Sequence, residues 1–168
     1  MILVINETID SGTPQKVADF LNRIPQDEIK LEHFIYLQSR GGNCSCAEVI
    51  NHLINKSEFG ITLVGFGQLC SCAFDLFFNH QGRKMLTKGT IGMYHHSSIN
   101  VDIHENNKPD YTEDKAKLIY LTGHMRQETS KMMKMLNFTA IEVKKVRSGK
   151  DVWFQPERMH EFLKTVNK

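Results

Sequence analysis

The chain has 168 residues, and its 21 basic and 19 acidic side chains give a formal net charge of +2 when the histidines are neutral. This near balance, without a basic cluster, gives no reason to expect a nucleic acid or a membrane surface as ligand. No stretch approaches the roughly 20 apolar residues of a membrane span, and acidic side chains come too early for a secretory signal. We therefore expect one cytoplasmic domain over residues 1–168, with reduced thiols.

Strand and helix patterns alternate through the first half of the chain. Short apolar, β-branched runs predict strands at 2–5, 33–38 and 61–66, and Gly67 is expected to end the third. Apolar residues at helical spacing predict a helix after each strand. Thr13 is the expected N-cap of the first helix, ahead of Pro14, and the third helix begins near Ser71. This alternation favours an α/β fold with largely parallel strands.

The second half is predicted to be richer in helix. Two short strands are expected near 83–86 and 90–94, and an alternating segment follows at 97–104. A long helix is predicted from Asp110 to about residue 136, because Glu113 stands at the capping-box spacing. Its methionines fit either an interface or a plain core stripe; they are Met125, Met132, Met133 and Met135.

Two shorter helices complete the predicted elements. Thr139 and Glu142 repeat the capping-box spacing before a helix that Gly149 is expected to end. Residues 156–166 have the pattern of a last helix that begins with proline.

All four cysteines lie in two Cys-Ser-Cys triplets, at 44–46 and 70–72, and both triplets fall at predicted strand-to-helix turns. Four thiolates would complete a zinc site, but a single residue between ligands is closer than the usual spacing of two to four. Helical residues i and i+2 also point about 200° apart. Because reduced thiols argue against disulfides, we expect most of the four to be buried bystanders and expect no metal.

Ser71 is a candidate nucleophile, because a residue at a helix start lies beside unpaired N–H groups that can hold an oxyanion. The Gly41-Gly42 turn is a candidate second donor. His95 is a candidate base, with His96 pointing to the opposite face, and Asp151 is a candidate orienting acid. By pattern alone, a helix cap, a half-buried histidine and a surface acid account better for these residues, because the chain offers many such trios.

Four segments, in order, resemble the ClpP family, the proteolytic subunit of the Clp protease, and especially its short divergent forms. YLQSRGG at 36–42 resembles the strand that leads into the family's Ser-Pro-Gly-Gly turn. GQLCSCAF at 67–74 resembles Gly-Gln-Ala-Ala-Ser-Met-Gly-Ala, and GMYHH at 92–96 resembles Met-Ile-His-Gln-Pro. GKDVWFQPER at 149–158 resembles the Arg-Asp-Arg-Phe segment and the Pro-Glu that follows it. The resemblance covers nearly the whole chain from Ile2.

The resemblance implies an α/β fold of the ClpP and crotonase type, built from repeated strand-strand-helix units, with a protruding handle helix in about 97–137. It implies a serine endopeptidase in which Ser71 is the nucleophile, His95 the general base and Asp151 the acid that orients it. The backbone N–H groups of Gly42 and Cys72 would bind the oxyanion. No cofactor is implied.

The resemblance also implies partners. Family members form homo-oligomeric rings, commonly paired heptamers, that act on peptides or unfolded proteins, and an ATP-dependent unfoldase is a candidate partner. This chain has no G-x-x-x-x-G-K-[ST] motif of its own. Met1 stands almost at the first predicted strand, so we expect the family's axial amino-terminal segment to be absent or very short.

The departures from the family leave alternatives open. Arg40 replaces the proline of the glycine turn, Cys72-Ala73 replaces Met-Gly, and the 96–111 segment replaces a glycine-rich one. A cysteine nucleophile is one alternative, since a thiolate at a helix start is activated. The others are a crotonase-like enzyme that acts on thioesters and an inactive ring subunit or scaffold.

Overall fold

The computed structural model describes residues 1–95 and 111–167, of which 111–118 are described by their backbone alone. The expected alternating segment at 97–104 and the proposed cap Asp110 lie outside these residues. The chain divides into two compact units, one formed by Met1–Tyr94 with Val152–Lys168 and the other by His95–Asp151.

The first unit is built on one sheet, in which the strand order is 1-2-3-5-6 and strand 4 also pairs with strand 3. The strands are β1 (Ile2–Asn6), β2 (Glu32–Ser39), β3 (Gly60–Cys70), β4 (Lys84–Leu86), β5 (Ile91–Tyr94) and β6 (Val152–Phe154). All neighbouring pairs are parallel except β5 and β6, which are antiparallel. The predicted α/β class with largely parallel strands is therefore confirmed.

β3 is longer than its sequence pattern predicts, and the end expected at Gly67 is wrong. Gly67 has a φ of +58°, which bends the strand, and pairing with β5 then resumes from Gln68 to Cys70. Glycine is favoured at this bend because of the positive φ, and a Cβ there would also force the Gln38 side chain to move. The extension carries the strand to the residue directly before Ser71.

Six helices occur in the described residues: α1 (Thr13–Asn22), α2 (Cys44–Lys56), α3 (Cys72–Asn79), α4 (Tyr111–Met135), α5 (Ala140–Arg147) and α6 (Pro156–Val166). A short 3-10 turn at Gln26–Glu28 precedes β2. The prediction of Thr13 as the N-cap is wrong, because Gly12 holds that position. The Asp10 carboxylate takes the place of a side-chain cap at the start of α1. It accepts hydrogen bonds from the N–H groups of Gly12 and Thr13, at 2.9 and 3.2 Å.

An aromatic cluster holds α3 and α6 together in the first unit. Phe74 of α3 lies 5.7 Å, centroid to centroid, from Phe154 of β6 and 6.2 Å from Phe162 of α6. These rings are fully or almost fully buried, with Phe77 and Phe78 beside them. Burial of each such side chain stabilises the fold by about 1.5–3 kcal/mol. The cluster therefore fixes the first turn of α3, directly after Ser71.

The second unit contains α4 and α5. The predicted capping box of α5 is confirmed: Thr139 N–H donates to Glu142 Oε2 at 2.6 Å, and Glu142 N–H donates to Thr139 Oγ1 at 3.3 Å. Met132 and Met133 of α4 are buried, whereas Met125 and Met135 are half-buried. None of the helices in the described residues is long and apolar enough to cross a membrane.

Candidate active site

Ser71 lies between β3 and α3 in a backbone conformation that non-glycine residues rarely adopt. Its φ and ψ are +53° and −129°, and its N–H donates to the Met93 carbonyl of β5 at 2.9 Å. Such a conformation costs of the order of 1–3 kcal/mol in a residue with a side chain. The Ser71 hydroxyl makes no capping hydrogen bond to α3, so a capping role does not account for the serine. A strained strand-to-helix turn is the geometry that displays the nucleophilic serine of α/β-hydrolases.

The Gly41-Gly42 turn lies directly against Ser71. Both glycines have positive φ, +98° and +141°, which strongly favours glycine. A Cβ on Gly41 would lie only 2.7 Å from the Cβ of Ser71, and a Cβ on Gly42 would collide with the Ile9 carbonyl oxygen. The absence of side chains at the turn therefore lets two chain segments approach closely.

Ser39 holds the glycine turn from the end of β2. It is buried, and its Oγ accepts a hydrogen bond from the Gly41 N–H at 3.1 Å. The Gly41 carbonyl in turn accepts from the Ile9 N–H at 2.9 Å. Sequence reasoning missed this anchoring role of Ser39, although its place two residues before Gly41 was the available signal.

The two Cys-Ser-Cys triplets meet through Cys44 and Cys72. The thiol of Cys72 is hydrogen-bonded to that of Cys44, and the Gly42 N–H lies near Cys72 Sγ. The Cys44 thiol, burial and the Asp75 carboxylate together raise the pKa of Cys72 above its ordinary value. Cys72 is therefore held as a neutral thiol, which argues against Cys72 as a thiolate nucleophile.

The other thiols follow the burial prediction only in part. Cys70 and Cys72 are buried, Cys46 is half-buried and Cys44 is exposed, so the expectation that most thiols are buried is wrong for the first triplet. The first triplet starts α2, and Cys44 is exposed although its thiol reaches that of buried Cys72. Within the described residues, no three Cys, His, Asp or Glu side chains are grouped as a metal site needs.

His95 and Asp151 lie together in the second unit. His95 Nδ1 is 3.3 Å from Asp151 Oδ1, and the side chains are 34% and 55% exposed. The pairing of β5 with β6 explains the contact, because Tyr94 and Val152 are register partners and stand next to His95 and Asp151 in the chain. A carboxylate beside Nδ1 selects the tautomer that leaves Nε2 able to accept a proton. His96 lies outside the described residues.

The structure thus brings the predicted site residues together in two groups. Ser71, Gly42 and Cys72 belong to the first compact unit, where Gly41 contacts Ser71 and Gly42 contacts Cys72. His95 and Asp151 belong to the second unit and contact each other.

Among solved structures, the chain is similar to a mutant of ClpP1 from Listeria monocytogenes. The identity is 17% and the TM-score 0.70, over 99% of this chain and 88% of that chain. No family model matches the chain, and no curated protein matches it. At this identity the likeness shows the fold alone, so the chain has a ClpP-like α/β fold. The fold that the sequence resemblance implied is confirmed.

Proposed function

We propose that this protein is a serine endopeptidase of the ClpP type that hydrolyses peptides or unfolded proteins. The observation that carries the proposal is the strained backbone of Ser71, held against the Gly41-Gly42 turn. Ser71 stands at the N-cap position of α3, yet its side chain makes no cap hydrogen bond to that helix. A chemical role for the hydroxyl accounts for a conformation that stability alone disfavours.

In the proposed reaction, Ser71 Oγ attacks the carbonyl carbon of a peptide bond. His95 takes the serine proton and then gives it to the leaving amine, after which water hydrolyses the acyl-enzyme by the same route. Asp151 orients the imidazole and stabilises its charged form, a role that its 3.3 Å contact with Nδ1 supports. No metal or organic cofactor takes part in these steps.

The proposed oxyanion donors are the backbone N–H groups of Cys72, at the start of α3, and Gly42. The Cys72 sulfur is the neighbour of the Gly42 N–H in the absence of substrate. A thiol sulfur is a weak acceptor, whereas a developing oxyanion forms a charge-assisted hydrogen bond. The Gly42 N–H would therefore bind the oxyanion more strongly than the sulfur, and a bond that forms with the transition state accelerates a reaction.

Self-association into a ring is part of the proposal. Large apolar side chains are exposed in both units: Ile2 and Val4 of β1 are 64% and 58% exposed, and Ile119 and Tyr120 of α4 are 64% and 73% exposed. Apolar side chains clustered on a surface are typical of a protein interface. Light scattering should find a ring-sized species, and a 19.4 kDa monomer at micromolar concentration would contradict this part.

The chain offers a matched pair of serines for testing the nucleophile. Ser71 and Ser45 are the middle residues of the two Cys-Ser-Cys triplets, but only Ser71 has the strained backbone. A fluorophosphonate probe should add to Ser71, as mapped by mass spectrometry of the digested protein. Ser71→Ala should abolish the adduct and Ser45→Ala should retain it. No adduct, or an adduct elsewhere, would overturn the serine assignment.

The same probe separates the alternatives. An inactive ring subunit has one observation in its favour, the position of the Cys72 sulfur beside the Gly42 N–H. An inactive subunit would form an intact oligomer that does not react with the fluorophosphonate probe. A crotonase-like enzyme needs only the glycine turn, and it would cleave acyl thioesters and leave peptides intact. A cysteine nucleophile would be blocked by iodoacetamide and spared by Ser71→Ala.

A further inference from the structure

An open cavity of about 530 Å³ lies at the carboxyl ends of the parallel strands of the first unit. Its wall includes residues from the ends of β1 and β2 and from the bend in β3, among them Asn6, Glu7, Gln38, Ser39, Arg40 and Gln68. The carboxyl edge of a parallel sheet is where ligands bind in open α/β folds. The cavity is mostly polar, so an apolar ligand is a poor fit.

The charges of the cavity leave one cation uncompensated. Glu7 is paired with Lys16, whose Nζ lies 2.5 Å from Glu7 Oε1. Asn6 and Gln38 satisfy each other through a 2.9 Å hydrogen bond from Gln38 Nε2 to Asn6 Oδ1. Arg40 is exposed, and no carboxylate among the described residues forms an ion pair with its guanidinium. The cavity therefore presents a positive charge to whatever enters it.

The Arg40 guanidinium belongs to a residue that adjoins the glycine turn against Ser71. Arg40 stands between Ser39, which anchors the Gly41 N–H, and Gly41, which is in contact range of Ser71. Gln68 also lines the cavity and lies in β3, three residues before Ser71 in the chain. The cavity therefore lies next to the glycine turn that is packed against Ser71.

We propose that this cavity is a substrate subsite in which Arg40 binds a carboxylate. The inference rests on the proposed peptidase function and adds a preference for peptides with a carboxylate close to the cleaved bond. A guanidinium suits this role because its planar fork donates two parallel hydrogen bonds to the two carboxylate oxygens. The carboxylate has two possible sources, an Asp or Glu side chain and the terminal carboxyl group of a short peptide.

The test uses matched fluorogenic peptides. One series places Glu or Gln at each of the three positions on either side of the cleaved bond, and a second compares free and amidated carboxyl termini. At one or more positions, kcat/KM should be roughly tenfold higher for the acidic member, as expected of a charge-assisted pair in an open site. The preference should shrink as salt is added, because exposed charges are screened.

Variants assign the preference to the cavity. Arg40→Gln should reduce the ratio between acidic and neutral peptides to about one, and Arg40→Glu should favour lysine at the same position. Arg23→Gln changes an exposed arginine after α1, outside the cavity, and should keep the wild-type ratio. If the Glu and Gln series shows the rate preference, the carboxylate comes from a side chain. If the series with free and amidated termini shows it, the carboxylate is the terminal carboxyl group. Equal rates for acidic and neutral peptides in the wild-type protein would overturn the subsite.

A binding measurement separates failure of the subsite from failure of the proposed function. Fluorescence anisotropy of labelled Glu and Gln peptides is measured with the Ser71→Ala protein, which needs no turnover. The Ser71→Ala protein could bind the Glu peptide more tightly than the Gln peptide and lose this difference with Arg40→Gln, while the wild-type protein cleaves no peptide. That result would overturn the peptidase proposal and keep the carboxylate site. Cleavage without any acidic preference would overturn the site alone, and neither binding preference nor cleavage would overturn both.

Discussion

The two strand-to-helix turns of this chain both carry Cys-Ser-Cys, but the triplets stand at different positions relative to their helices. In the first, Cys44 begins α2, so the turn itself is made by the glycines before it. In the second, Cys72 begins α3, so Ser71 makes the turn. A shift of two residues therefore decides whether the middle serine is an exposed helical residue or a strained one.

The difference teaches how the two turns divide one task. Where backbone must come close to a partner, the chain uses glycine at positive φ, which has little intrinsic cost in the native state. Where a side chain must be displayed, it keeps serine at positive φ and accepts strain. Each turn is shaped by the group that it has to present, although the triplets are identical in sequence.

The largest expected effect comes from removing the displayed side chain. Ser71→Ala should lower kcat/KM for peptide hydrolysis by about a thousandfold or more, since loss of a nucleophile removes the covalent route. Ser45→Ala should stay within about twofold of wild type. Steady-state kinetics on one fluorogenic peptide measures both, and equal losses in the two variants would break the comparison.

Ser71→Gly tests the strained conformation of Ser71 through its effect on the stability of the protein. It removes the hydroxyl and also relieves the strain at a φ of +53°, so it should be more stable to unfolding than Ser71→Ala by about 1 kcal/mol. Urea denaturation of the two variants measures the difference. A Ser71→Gly protein that is less stable than Ser71→Ala would show that the turn holds no strain.

The next effect comes from adding a side chain to the glycine turn. Gly41→Ala places a Cβ 2.7 Å from that of Ser71 at a φ of +98°, so the two turns must separate. We expect activity to fall about a hundredfold, since small misplacements near the nucleophile have costs of that size. Stability should fall by about 1–3 kcal/mol.

Gly123→Ala is the control for that substitution. Gly123 is in α4, and a Cβ there meets no other atom within 4 Å. Because alanine is the better helix former, this variant should gain about 1 kcal/mol and keep its activity. Similar losses in Gly41→Ala and Gly123→Ala would contradict the close approach of the two turns.

The two turns can be compared only at a pH at which the sheet stays folded. His80 limits this pH range on the acid side. Burial lowers the pKa of His80 to about 4, although its two ring nitrogens face Asn55 Oδ1 and the Ile61 carbonyl oxygen, which favour the charged form. In the unfolded chain the pKa is about 6.5. Between these values the unfolded state binds a proton that the native state does not, so stability is full above pH 6.5 and falls as the pH drops.

The expected loss from His80 is about 3 kcal/mol between neutral pH and pH 4. Urea denaturation at a series of pH values measures it. His80→Gln should flatten the pH dependence in this window, whereas His52→Gln, at an exposed histidine, should leave the slope unchanged. An unchanged slope in His80→Gln would show that other groups control acid unfolding.

The smallest effect is expected at the sulfur between the turns. Cys72→Ala removes the sulfur beside the Gly42 N–H and leaves the backbone N–H of residue 72 in place. Activity should therefore stay within about threefold of wild type, because both proposed oxyanion donors remain. If activity falls by more than a hundredfold while circular dichroism shows that the variant is still folded, the thiol takes part in the reaction.

Local signals in the sequence were sufficient for much of the fold. The capping box of Thr139 and Glu142 and the proline start of α6 were predicted correctly, because each depends on residues within one helical turn. The alternation of strands and helices predicted the parallel α/β class. The order of four short motifs singled out Ser71, His95 and Asp151, whose catalytic roles stay predictions.

Only the tertiary structure decided how the turns are built. β3 continues past Gly67 because β5 lies beside it, the thiols of Cys44 and Cys72 meet across two helix starts, and Ser39 reaches the Gly41 N–H. His95 meets Asp151 because β5 pairs with β6. The strain at Ser71 is likewise maintained by its surroundings, since the isolated segment would relax to an ordinary conformation. Most of these features depend on residues distant in sequence, which local patterns do not encode.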